Sequence, residues 1–161
     1  MIEGFEGITH QEFATLRDAL PMIAALVGGA DGNFDAKERY WAEKMANIYS
    51  FSKGESLDAF FKKVADHFSD RADAVYRHHQ GLEERNKFLS EELAKLNDIF
   101  PKLRPMDAYK LYRSFLQFAD EVAHASGGIF RMGSVDANEA KWAKLPMVKP
   151  VPKPIKPDPE A

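Results

Sequence analysis

Apolar residues recur every three or four positions through most of residues 1–145, the period of helices that turn one face inward. Thr9-His10-Gln11-Glu12 is a capping box, so a first helix starts there and carries Phe13, Leu16 and Leu20 on one side. Pro21 suits the first turn of a second helix, which runs through Met22, Ile23 and Leu26 to Gly28-Gly29. Asp35 to Glu38 reads as another helix start, with Trp41, Met45 and Ile48 on one face. From Ser56 a fourth stripe comprises Leu57, Phe60, Phe61, Val64 and Phe68. The polar stretch 69–80 and Gly81 then leave the entry to a fifth helix open; its stripe is Leu82, Leu89, Leu93, Leu96 and Phe100, up to Pro101. After Pro105 a long stripe of Ala108, Leu111, Tyr112, Phe115, Ala119 and Val122 is expected to close at Gly127-Gly128. No six-residue segment alternates as a half-buried strand would, so the fold class is all-α. The aromatics Phe60, Phe61, Phe68, Tyr109, Tyr112, Phe115 and Phe118 follow helical spacing and are expected in the core.

Sliding the chain on itself by 101 positions exposes an internal helix-loop-helix repeat. Gly32-Asn33-Phe34-Asp35-Ala36-Lys37-Glu38-Arg39-Tyr40-Trp41-Ala42 overlies Gly133-Ser134-Val135-Asp136-Ala137-Asn138-Glu139-Ala140-Lys141-Trp142-Ala143, identical at six of eleven positions. In each copy an Asp and the Glu three residues later can tie down the free amides of a helix start, where the helix dipole also favours their charge. The same acids admit a second chemistry. Asp31, Asn33 and Asp35 occupy positions 1, 3 and 5 of an EF-hand-like loop, and hard oxygen donors suit Ca²⁺ or Mg²⁺. An EF-hand itself is excluded, because Ala36 stands at its glycine position and Ala42 at its bidentate glutamate position. A shallower site from Asp31, Asn33, Asp35 and Glu38, completed by Asp136 or Glu139, remains open beside plain helix capping. Asp31 lacks a helix-start role and otherwise suits an Asx turn.

Taken together, Ala30-Asp31-Gly32 with Asp35 and Glu38, and Ala125-Ser126-Gly127-Gly128-Ile129-Phe130-Arg131-Met132-Gly133-Ser134-Val135-Asp136 with Glu139 and Trp142, resemble the motifs of the tellurite-resistance TerB-like family. The resemblance spans residues 9–145, with its recognisable motifs in 30–45 and 123–145, and makes 1–145 one TerB-like domain. It implies a compact bundle of about seven helices in which two acidic loops come together. It also implies a non-enzymatic role in resistance to tellurite and other stresses, with Asp31, Asp35, Glu38, Asp136 and Glu139 as the matching acids. Ser126 stands where the first copy has Asp31, which lowers the acid count of the second loop.

Composition narrows the function classes. The 161 residues carry 22 basic against 25 acidic side chains, a net charge of −3 that offers no footprint for a phosphate backbone, so nucleic acid is not expected as a partner. The absence of cysteine excludes disulfides, thiolate nucleophiles and zinc fingers. The longest low-polarity run, Leu20 to Ala30, contains Pro21 and falls short of the roughly 20 residues a spanning helix needs. An acidic N-terminus without an apolar run points to a cytoplasmic protein. Residues 146–161 include six prolines and are expected to form a flexible, polyproline-prone tail; Pro154 and Pro157 give it a PxxP spacing.

No nucleophile elbow, phosphate loop or HExxH spacing is present, and no catalytic residue is assigned. Asp120 and His124, four apart on one helix face, are the least implausible acid/base pair and read more simply as an ion pair. Adjacent His78 and His79 read as surface residues. Ile129, Phe130 and Met132 fall in the enlarged second loop, where they either plug the bundle end or contact a protein partner or a membrane surface peripherally. The expected function is a stress-response binding module that uses the acidic loops for a divalent cation. The alternative is a metal-free protein adaptor working through the 129–132 tip or the proline tail. The apolar helix faces also leave a second copy of the chain open as a partner.

Overall fold

The computed structural model describes residues 2–29, 36–131 and 137–155, without the side chains of 55, 56, 126–131 and 137–139. Among these the regular structure is all helical: α1 His10–Ile23, extended by a π-helical turn Ala24–Gly28, α2 Ala36–Tyr49, α3 Glu55–Ala65, α4 Phe68–Arg77, α5 Leu82–Ala94, the single turn α6 Leu96–Ile99, α7 Pro105–Arg131 and α8 Ala137–Ala143. Apart from α6, seven helices make up the bundle. α1 begins where its capping box dictates: the Thr9 hydroxyl accepts from the Glu12 amide at 3.1 Å, and the Glu12 carboxylate accepts from the Thr9 amide at 2.9 Å.

Pro21 does not start a new helix but sits inside α1. It removes one donor from the ladder, and the turn that follows it is the wider π form rather than a break. Every residue from Ala19 to Val27 is buried, so burial sustains the helix where local propensity would end it. The reverse occurs at the fourth stripe. Leu57, Phe60, Phe61, Val64 and Phe68 are all buried, yet the helix stops at Ala65 and restarts at Phe68 through His67, which takes left-handed φ 58°. Arg71 closes that corner by donating to the Lys63 carbonyl at 3.2 Å. Downstream, the polar stretch 69–80 contains α4, held inward by Phe68 and Ala72.

One large core runs through the bundle. Phe5 and Phe60 stack at 5.3 Å with Phe13 edge-on to both, which ties residues before α1 to α3. Tyr49, Phe61, Phe68 and Phe118 form a second aromatic group between α2, α3, α4 and α7. The expected face of α2 is rotated, and that of α5 differs only at its first position. The buried face of α2 is Ala42, Ala46 and Tyr49, with Trp41 and Met45 at its margin and Ile48 exposed. On α5 it is Arg85, Leu89 and Leu93, while Leu82 is exposed. Tyr109 is half-buried, whereas the other expected core aromatics are buried.

The segment after α8 differs from the solvated tail expected there. Leu145 and Val148 are buried, and Met147 and Val151 pack on the core. Asn97 clamps the turn that follows Leu145 from the side: its Nδ2 donates to the Met147 carbonyl at 2.9 Å and its Oδ1 accepts from the Lys149 amide at 2.8 Å. The turn is closed by the Val148 amide donating to the Leu145 carbonyl at 3.0 Å, and the chain continues from it into Pro150 and Pro152.

Candidate functional site

Described elements that flank the two loops of the repeat pack on one another at one corner of the bundle. The π-helical turn Ala24–Gly28 leads into the first loop and packs against α7 and α8, the two helices that flank the second loop; α7 and α8 also pack on each other. Close approach here demands glycine: a side chain at Gly29 would place its Cβ 2.5 Å from the Ala25 carbonyl and 2.9 Å from the Tyr76 ring. α2 is anchored at both ends. Arg39 in its first turn lies 3.6 Å from Asp73 of α4, and the Tyr49 hydroxyl near its end donates to Glu121 of α7 at 3.3 Å. Burial, reinforced by the neighbouring Glu121 carboxylate, pushes the Tyr49 phenol well above its ordinary pKa. Lys53 covers the same ring, 4.2 Å from its centroid.

Of the predicted acids, Glu38 is half-buried in the first turn of α2, the position a capping or dipole role requires. Glu139 belongs to the first turn of α8. Asp31, Asn33, Asp35 and Asp136 lie outside the described residues, as does Met132. Among the described residues no three His, Asp or Glu side chains come together as a metal centre. The side chains of the six candidate residues offer oxygen donors, a set that would suit Ca²⁺ or Mg²⁺ and not a thiophilic metal.

Ile129 and Phe130 require a correction. They were expected in a loop after Gly127-Gly128, but α7 continues through both glycines to Arg131. Two interior glycines cost roughly 1 kcal/mol each in an isolated helix, and packing of α7 on α8 and on the π-helical turn offsets that cost.

The histidines separate into two settings. Asp120 and His124 share a face as expected, with Nδ1 3.5 Å from Asp120 Oδ1 and 2.8 Å from the Asp120 carbonyl, and both side chains are more than half exposed. Such a pair is a surface contact of small energetic weight. His78 and His79 instead pack on Phe88, with ring centroids 4.9 and 4.7 Å away, and His79 is half-buried. No described helix is long and apolar enough to cross a membrane. No family model matches the chain, and no curated protein or solved structure matches it either.

Proposed function

We propose that the chain is a non-enzymatic binding module of the TerB-like, stress-response kind, in which acidic segments 31–38 and 136–139 hold one divalent cation, Ca²⁺ or Mg²⁺. The supporting observation is the packing of the π-helical turn on α7 and α8, because each acidic segment leaves from an element of that one corner. Glu38 and Glu139 stand in the first turns of α2 and α8, directly after their loops in the chain. A cation at the corner would neutralise the acids and fix the surface that a protein partner reads.

Titration of the metal-stripped chain with Ca²⁺ and Mg²⁺, read by amide shifts, tests this reading. Saturable shifts in 31–38 and 136–139 at the same ion concentration are expected, and Asp31→Ala should abolish them with little change in thermal stability. Asp35→Ala should in addition cost about 0.5–2 kcal/mol as a lost cap. If neither segment responds at millimolar ion, the acids are caps, the cation reading fails, and the metal-free adaptor takes its place.

A further inference from the structure

Among the described residues Arg85 is the one charged side chain that is fully buried, at 3% exposure. Its guanidinium lies 4.0 Å over the Tyr76 ring and its Nη1 donates to the His79 carbonyl at 3.3 Å. Its Nε is buried without a hydrogen-bond partner, and no carboxylate of the described residues pairs with it. A cation taken out of water without a counter-charge is expensive, and proteins normally place an anion against it. Here the place for one is a cavity. Arg85 lines a pocket of about 350 Å³ together with Tyr76, Arg77, His79, Gln80 and Leu82.

Three further features give this cavity the chemistry of an anion site. It adjoins the start of α5, a helix of 13 residues whose N-cap, Gly81, has no side chain to accept from the first-turn amides. Those amides and the positive end of the helix dipole favour an oxyanion. The second feature is His79, whose Nδ1 is likewise buried without a partner. The third is the Arg85 fork: with Nη1 committed to the His79 carbonyl, the edge bearing Nε is the one that matches two oxygens of a carboxylate or phosphate. Glu83 and Glu84 in the exposed first turn oppose a polyanion, so selection favours a compact group that reaches Arg85.

We propose that this cavity binds a small oxyanion, the carboxylate or phosphate group of a metabolite-sized ligand, through the free edge of Arg85 and the first-turn amides of α5. The site shares no residue with the divalent-cation reading and stands or falls apart from it.

The test titrates the full chain with inorganic phosphate and, separately, with acetate, at ionic strength held constant with sodium chloride. Saturable shifts of the Leu82 to Arg85 amides with either anion, and none with chloride alone, are expected; the responding anion tells phosphate from carboxylate. Arg85→Met keeps the length and the contact with Tyr76 while removing the charge, and should weaken binding about tenfold or more. Gln80→Glu sets a like charge at the exposed mouth without touching the core, and should weaken binding even if Arg85→Met does not fold. Non-saturating shifts with both anions, or an affinity unchanged by Gln80→Glu, overturn the proposal.

Discussion

Asn97→Ala isolates what the docked C-terminal segment contributes. The side chain makes two hydrogen bonds to it, at 2.9 and 2.8 Å, from a half-buried position. A hydrogen bond of this kind is worth about 1 kcal/mol net, and water partly replaces the bond to Lys149, which is exposed. The expected loss is therefore about 1–2 kcal/mol. With an unfolding entropy of about 2.1 cal/mol/K per residue, 161 residues give roughly 0.34 kcal/mol/K, so Tm should fall by about 3–6 °C. Thermal unfolding followed by circular dichroism measures this directly. A chain ending at Leu145 is the control: with no segment to clamp, the same substitution should cost less than about 0.5 kcal/mol. Equal losses in both chains, or none in the full chain, would show that Asn97 does not hold the segment.

Thr9→Ala should cost about 1 kcal/mol as a lost N-cap, read by urea denaturation. The Lys102 ammonium, 2.7 Å away, and the Thr9 amide hold the Glu12 carboxyl below its usual pKa. Its contribution is thus present above the unfolded value and disappears as pH falls through the lower folded one; Glu12→Gln should flatten that acid limb. Tyr49 has the opposite sign. Its folded pKa is raised, so its contribution is complete below about pH 10, and stability should decline above that value. Tyr49→Phe should remove this alkaline slope at a cost within about 1 kcal/mol. His67→Gly should stabilise the α3–α4 corner by up to about 1 kcal/mol, because left-handed backbone is costly with a Cβ; a loss of stability would mean that the imidazole holds the corner.

Helical periodicity and the Thr9 capping box made the fold class and the start of α1 legible, because each depends only on neighbours within a turn. Local punctuation was less dependable. Pro21 and Gly127-Gly128 signal helix ends, yet both lie within helices, since burial of residues 19–27 and packing of α7 on α8 outweigh a missing donor or a flexible backbone. No comparable signal marked the break at Asp66-His67, where the stripe runs on into Phe68 although the helix does not. A proline-rich segment looked unable to pack; what it lacks is donors, and Asn97 needs from it only one amide and one carbonyl. The described elements that flank the two copies of the repeat pack on one another, while four of the six candidate ligands lie outside the described residues.

Arg85 is the instructive omission. Its signal was in the sequence: it stands four residues before Leu89 and eight before Leu93, on the buried face, where a cation breaks the apolar pattern. Leu82 fits the same stripe seven residues before Leu89 and drew attention away from it, but the structure exposes Leu82 and buries the arginine. Burial of that kind persists only if something offsets it. Stacking on Tyr76 and one carbonyl bond offset part of the desolvation, and the unmatched Nε beside a cavity leaves a requirement that a hydrophobic residue at position 85 would not have created. If the fold alone set the identity of position 85, Arg85→Met would raise stability in anion-free buffer and forfeit nothing. A gain in stability coupled to the loss of oxyanion binding would show instead that the charge is kept for a ligand.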